Sequence, residues 1–498
     1  MQQLTEMDSN FLQQESVRTP LHISPVIVYD QSARREGRVR FKEILTVFER
    51  NLHKSSIFRR KLAGGAMGLD TPYWVEDPHF DLEFHVRHLA LPKPGDWRQF
   101  CILLARLHSR GLDMQRPLWE AYVIEGLSGV EGLPQNSFAI MLKIHHAAID
   151  GVSGAEILTA IHSLTDEIEP PTVEDNWQGE SDPSAWQVWS RAYVKNLRRP
   201  VKFFETMGTL VPAAIRVSRD GSKEDHEHEK KPAAGKTRFN ARISSARVTD
   251  SLFMRLEDLK AIRKTVADVT INDIIVTIVS GALRRYLQDK GELPEQSLSC
   301  GAPINTRSER NSSSTGNQIS IMTIDMATDV ADPLERLLAI HEYADHSKEV
   351  AGRLGKSMIL DVSEVFAPQV MSWSFQAATL AISRTNLPMP FHVMISNVPG
   401  PQFDLYLAGA RVHTMMGIGP LAHMMGLFHA VTSGAGQIVI NFVACREMLP
   451  DPDFYQQCLA ESYAELQEAV AQQTTKAASR RSRSRTKSSQ TRNKKVAR

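Results

Sequence analysis

No run of about eighteen uncharged apolar residues occurs in the 498-residue chain, so no membrane-spanning helix is expected. Cysteine is scarce. The four present, Cys101, Cys300, Cys445 and Cys458, lie far apart and form no CxxC pair. That spacing excludes a disulfide framework and reads as small buried residues of a protein in a reducing cytoplasm. The first residues, MQQLTEMDSNFLQQESV, have neither a basic stretch nor an apolar run, so no secretory signal is expected there. Acidic residues are missing from the other end. Residues 476–498 carry ten Lys and Arg and no Asp or Glu, so the net charge of +1 conceals a negative remainder. A Ser/Arg/Lys tail without apolar anchors is expected to be disordered. It could serve solubility or attach to anionic lipid head groups. Nucleic-acid contact is the weaker expectation, since no aromatic residues are interleaved.

The rest is of globular composition, 42% apolar and 23% charged. Its length implies two domains of roughly 200 residues. Strands are expected at 21–30, 118–127 and 137–146, and amphipathic helices at 40–56 and 96–112, where apolar residues recur at helical spacing. A helix should follow residue 152, with Ser153 and Glu156 as its capping box. Residues 186–199 set Trp186, Trp189 and Tyr193 at helical intervals beside Arg191, Lys195, Arg198 and Arg199. That pattern suits an interfacial helix or a helix packed between domains. Residues 218–236 read as a charged linker whose His226 and His228 belong to a solvated loop. Beyond it come a long helix at 270–291, a strand at 438–445 and a closing helix at 453–472. The boundaries expected are 1–175 and 241–473 for two α/β sandwich domains, 176–240 for a crossover and 474–498 for the tail.

The stretch KIHHAAIDGVSG, residues 143–154, lies where a strand turns tightly into a helix. Gly151 permits the turn, and the helix start adds positive partial charge. A histidine, near neutrality in its ordinary titration, is a natural base for a hydroxyl or thiol once its ring is held in one orientation. His146 and Asp150, four residues apart, supply a base and a group to brace it. His145, adjacent on a strand, should face the opposite way. Three readings stand at this point: a catalytic base, a metal site and a histidine pair satisfied in a core. The metal reading has two ligands from one turn and no third at suitable spacing, whereas zinc takes three or four.

Several stretches together resemble a known family. HHAAIDG is similar to the HHxxxDG signature of coenzyme A-dependent acyltransferases and peptide-synthetase condensation domains. MDSNFLQQESVRTPLHI, RPLWE with Pro117, Leu118 and Trp119, TIND with Asn272 and Asp273, the segment ending in Gly316 and Asn317, and ISNVPGP occur in order over residues 1–472. Together they resemble the bacterial wax ester synthase/diacylglycerol acyltransferase family.

The resemblance implies two chloramphenicol-acetyltransferase-like domains with a tunnel at their interface. It implies transfer of a long acyl chain from acyl-CoA, as co-substrate and with no cofactor or metal, to a fatty alcohol or diacylglycerol. His146 would act as base, with His145 and Gly151 as motif support. Asp150 would fix the turn, and Asn272 would donate to the oxyanion or else cap a helix. Trp119, Ser396 and Asn397 are weak substrate-binding candidates. Trp119 suits a structural role better, and Ser396 and Asn397 sit in what reads as a rigid turn, SNVPGP. Lipid products imply work in the cytoplasm, peripheral to a membrane or lipid inclusion. A carrier-protein-dependent condensation enzyme and a non-catalytic lipid-droplet scaffold are the alternatives.

Overall fold

The computed structural model describes residues 2–32, 34, 37–64, 71–130, 132–149, 153–167, 177–184, 186–190, 193, 234–305, 319–353 and 389–496. In the first half, β1 (Gln2–Gln3), α1 (Glu6–Gln14), β2 (His22–Asp30), α2 (Phe41–Asn51), β3 (Arg60–Ala63) and β4 (Tyr73–Glu76) are followed by α3 (Leu82–His85), β5 (Val86–Ala90) and α4 (Trp97–His108). Then come β6 (Trp119–Leu127), β7 (Ser137–His145) and α5 (Ser153–Ile161). The second half holds β8 (Arg247–Arg255), α6 (Leu256–Thr265), α7 (Ile271–Asp289), β9 (Ser299–Asn305), β10 (Ile319–Asp325) and α8 (Pro333–Arg353). It ends with β11 (Val393–Pro399), β12 (Tyr406–Leu407), β13 (Ala410–Ile418), β14 (Leu427–Gly434), β15 (Gln437–Cys445) and α9 (Pro452–Val496). The expected mixed α/β architecture with two sheet-rich halves is observed.

One six-stranded sheet runs β12-β13-β2-β7-β6-β5 and the other β10-β9-β11-β14-β15-β8. A small sheet, β1-β4-β3, lies apart. Strands β12 and β13 come from the second half of the chain but join the first sheet, with Ile418 opposite Ser24 and Thr414 opposite Val28. The expected boundary at 241 is therefore crossed by a swapped ribbon. It buries Val412, Met415 and Ile418 on a sheet whose other strands lie more than 260 residues upstream in the chain.

Strand β7 shows how alternation sorts this sheet. Phe138, Ile140, Leu142 and Ile144 enter one core with Trp119 and Phe48. Ala139 and Met141 enter a larger core that spans the seam between the halves, together with Leu104 of α4, Val248 of β8 and Met416 of β13. Lys143 and His145 fall on this second face, so two polar residues point into the seam. Helix α4 rivets it. Asp96 caps α4 by accepting the Gln99 N–H at 2.8 Å. The Trp97 indole donates to Asp250 Oδ1 of β8 at 2.7 Å.

Helix α7 begins where Thr270 accepts the Asp273 N–H and the Asp273 carboxylate accepts the Thr270 N–H in return. Its Ile274, Ile278, Leu283 and Tyr286 are all buried, so the helix is sunk between sheet, α8 and α9.

Three expectations need correction. Residues 393–399 form strand β11, so Ser396 and Asn397 lie on a strand and not in a turn. The chain bends only after it, where Gly400 donates to the Ser433 carbonyl at 2.7 Å. Pro399 is tolerated because it ends the strand. The helix expected at 40–56 stops at Asn51 and tightens into two 3-10 turns. The basic tail continues α9 as helix to Val496. Elongating a helix already nucleated by its packed part costs little, and Arg, Lys, Gln and Ala favour it. Residues 218–233, with His226 and His228, lie outside the described residues, as do Gly316 and Asn317.

Gly281 marks the tightest approach of α7 to its neighbours. A Cβ there would meet Ser462 Oγ at 2.1 Å and Arg336 Nη1 at 2.4 Å. Gly281→Val should therefore force α7 from α8 and α9 and lower the unfolding free energy by about 1–3 kcal/mol, read from the denaturation midpoint.

Candidate active site

Strand β7 delivers the two histidines. Its last residue, His145, donates its backbone N–H to Leu118 O at 3.0 Å, and His146 donates to Leu21 O at 2.9 Å. His146 then opens a 3-10 turn over His146–Ala148. The PLW segment thus acquires a physical role: Leu118 holds the strand end, and Trp119 anchors it. Trp119 is 1% exposed, donates its indole N–H to Phe58 O at 3.0 Å and stacks on His85 at 4.7 Å. As a substrate-binding candidate it is corrected, because its ring is spent in the core.

The two rings differ in surroundings. His145 is fully buried. Its Nδ1 accepts the Ala147 N–H at 3.0 Å, so its proton sits on Nε2, which is hydrogen-bonded to the Glu15 carboxylate. His146 is half-buried and lies under α1, where the Phe11 ring stacks on it with centroids 4.2 Å apart and planes 21° apart. Burial, and secondarily the charge that His145 can carry, push the His146 titration down to about 4. The ring is therefore neutral, the form a base requires. Helix α1 is placed for this by Thr5, which accepts the Asp8 N–H as its N-cap. Phe11 and Glu15 were not singled out from sequence. Both touch the motif from about 130 residues away, and the signal for them was that they lie within MDSNFLQQESVRTPLHI, one of the stretches that carry the family resemblance.

A polar nest backs the pair on the seam face of β7. Lys143 is fully buried, with Nζ 3.7 Å from Glu120 Oε2 and donating to Gly111 O at 3.4 Å. Desolvation pulls its ammonium down to about 8 against the pull of Glu120. The Tyr122 hydroxyl and Arg87 share Glu120. His22 donates to the His108 carbonyl at 2.8 Å, and His108 bonds Ser24 and Gly419 O. Burial drives His108 down to about 3, so it too stays neutral. Lysine within an otherwise apolar strand was the sequence signal for this nest.

Of the other expected site residues, Asp150 and Gly151 lie outside the described residues, as do the side chains of Ser153 and Glu156. Asn272 is half-buried at the second position of α7, and Thr270 is the cap, so Asn272 is not the helix N-cap. Its neighbour Asp273 is bonded to His341 Nδ1 at 2.9 Å. Ser396 is half-buried and Asn397 exposed, beyond the point where β11 parts from β9 at Met394 and Gly301. Among the described residues no group of three or more His, Cys, Asp or Glu is arranged to hold a metal ion.

The sequence models of two domains match this chain in order. The wax ester synthase/diacylglycerol acyltransferase catalytic domain matches residues 4–275, and the C-terminal domain of the same family matches residues 315–467. The chain belongs to the wax ester synthase/diacylglycerol acyltransferase family. It is an acyltransferase. Among its relatives is a Mycobacterium tuberculosis protein named "putative diacylglycerol O-acyltransferase". The two are 30% identical over 454 residues, which cover 91% of this chain and 87% of the relative. Another from that organism, named "probable diacylglycerol O-acyltransferase", is 30% identical over 468 residues, covering 93% and 98%. In fold, the chain resembles the wax ester synthase/diacylglycerol acyltransferase of Marinobacter aquaeolei VT8. The TM-score is 0.67 with 24% identity, over 95% of this chain and all of the other. The starter condensation domain of rhizomide synthetase shares the fold more distantly, with a TM-score of 0.53 and 12% identity over 94% of each chain.

A His146 ring that titrates near 4 sets the acid limb of any rate that requires that ring neutral. The neutral ring is lost as pH falls through its pKa, so kcat/KM should hold to about pH 5 and fall by half near 4. Phe11→Ala, by admitting water to the ring, should move that limb upward toward 6.5. An unmoved limb would detach Phe11 from the His146 titration.

Proposed function

We infer that this family member moves an acyl group from acyl-CoA to the hydroxyl of a fatty alcohol or diacylglycerol, with His146 as the base. A neutral imidazole at the end of a strand, in the HHxxxDG position of a chain of this family, carries the reading. In the scheme, a ring nitrogen of His146 takes the acceptor's proton as the alcohol oxygen bonds to the thioester carbonyl carbon. The C–S bond then breaks, and the imidazolium returns the proton to the departing thiolate. Oxygen gains an acyl group, sulfur gains a hydrogen, and no acyl-enzyme forms. Glu15 and His145 keep the preceding residue rigid, which limits where the reactive ring can swing. Asp150 is proposed to hold the turn. Asn272, uncommitted to capping, is the proposed donor to the oxyanion, where a lost donor costs about 3 kcal/mol. Ser396 and Asn397 are proposed to meet the coenzyme on the edge of β11 that β9 no longer covers, its other edge being paired with β14. No cofactor takes part in this scheme.

Water-insoluble acceptors imply contact with a lipid surface. No helix among the described residues is long and apolar enough to cross a membrane. An exposed aromatic stripe is present instead: Trp186 at 79%, Trp189 at 45% and Tyr193 at 70% exposure, three and four residues apart, while Val188 turns inward onto Tyr73. Trp and Tyr favour the headgroup layer. This stripe, with the basic tail, is the proposed peripheral attachment to a membrane or lipid inclusion in the cytoplasm.

Two experiments follow. Purified protein is mixed with palmitoyl-CoA and either hexadecanol or dioleoylglycerol, and free thiol and ester are followed together. His146→Ala should lower the rate by about 10²–10⁴-fold, and ester formation at near-normal rate would remove the base assignment. In vesicle sedimentation, the triple change of Trp186, Trp189 and Tyr193 to Ala should weaken binding to neutral and anionic vesicles alike. Deleting 476–498 should weaken binding to anionic vesicles only.

A further inference from the structure

Stability gives no reason for Lys143. Strand β7 is apolar from Phe138 to Leu142 and again at Ile144, and a leucine at 143 would suit the seam. A fully buried ammonium is costly, and pairing it with a buried carboxylate returns little net stability. Its ties are sparse. Nζ lies 3.7 Å from Glu120 Oε2 and donates to Gly111 O at 3.4 Å. What the charge does have is a place two residues before His145, on the same face of the strand.

The contacts lead from Lys143 to the turn that carries His146. Gly111, which accepts from Nζ, lies against Glu15: a Cβ on it would meet Glu15 Oε1 at 3.5 Å. Glu15 is bonded to His145 Nε2, and His145 Nδ1 accepts the Ala147 N–H at 3.0 Å. That last bond closes the turn beginning at His146, and it exists only while Nδ1 carries no proton. A second proton on His145 would sit there, turn the acceptor into a donor and leave the Ala147 N–H facing another N–H. Glu15, with its side chain 10% exposed, draws such a proton toward the ring. The Lys143 ammonium opposes it.

The other groups around Lys143 leave this balance to it. His22 of β2 and His108 of α4 are held neutral, by burial first and by the Lys143 charge among the lesser causes. The Tyr122 hydroxyl of β6 donates to Glu120, and Arg87 of β5, partly exposed, binds the same carboxylate. Lys143 and Arg87 thus face Glu120 and Glu15, and without the ammonium a negative charge is left over beside His145. On the reading of His146 as the base, we propose that Lys143 is a positioning residue of the reaction: its ammonium offsets Glu15, keeps the His145 ring an acceptor for Ala147 and so fixes the turn that presents His146. Burial lowers the Lys143 titration only to about 8, so the charge is present across the whole acid limb.

The test uses the full chain with palmitoyl-CoA and hexadecanol. Both kcat and KM are followed from pH 7.5 to 4, and the His145 ring is followed over the same range by ¹⁵N NMR without substrate. In Lys143→Met the midpoint at which Nδ1 takes its proton should rise by about one to two pH units. The acid limb of kcat should rise with it, while KM stays within about twofold. Lys143→Arg keeps the charge and should hold both midpoints near those of the unchanged chain. Because Lys143→Met alone leaves Glu120 without its partner, a second variant combines it with Glu120→Gln. Removing both charges should restore the fold and bring both midpoints most of the way back. A rate loss equal at every pH and shared by Lys143→Arg would reduce Lys143 to packing and overturn the positioning role. An unmoved His145 midpoint in Lys143→Met would overturn it too, whatever the rate does. The NMR arm needs no turnover, so activity surviving in His146→Ala would remove the base without deciding the His145 result.

Discussion

The ring of His146 lies beneath a helix that begins at the sixth residue of the chain. Phe11 covers it, and Glu15, just past the end of the same helix, holds His145 beside it. A bare histidine at a strand end would be half protonated near pH 6.5 and free to rotate. Covered, it is neutral at any physiological pH, and its neighbour is fixed in one tautomer. The rest of the first sheet serves this clasp. Leu118 and Leu21 accept the backbone N–H groups of the pair, and Trp119 anchors the strand that supplies Leu118.

The second half of the chain completes the site indirectly. Strands β12 and β13 knit it into the first sheet, and the Trp97–Asp250 bond pins α4 to β8. Between the sheets lies a continuous apolar core with a polar nest at one end and an amphipathic cavity at the other. The buried Lys143 in that nest is compensated by the buried Glu120, whose carboxylate also takes the partly exposed Arg87. Removing one partner of such a pair is costlier than the pair itself is stabilising.

Much of this was legible before any coordinates. The periodicity of 270–291 gave α7, although its cap is Thr270 and not Asn272, and the apolar runs gave β6 and β7 within a residue or so. HHAAIDG singled out the histidine pair, and its place at a strand end followed from the glycine behind it. What local pattern could not give were partners across the fold. Nothing near Ala410–Ile418 says that it pairs with a strand almost 390 residues earlier, since one face of an apolar strand looks like another. Phe11 and Glu15 were invisible as site residues for the same reason. SNVPGP misled because proline and glycine mark turns, while a strand end tolerates both. The tail misled in the other sense: its composition lacks a core, but a helix can be continued by backbone hydrogen bonds alone.

The account stands on the neutrality of one ring, and imidazole NMR reads it directly. With ¹³C,¹⁵N-histidine in the full chain, the His146 signals are assigned by their loss in His146→Gln and followed from pH 8 to 4. The account predicts a neutral ring throughout, with titration beginning only near the acid end. A midpoint close to 6.5 would show the ring open to water and would contradict the clasp.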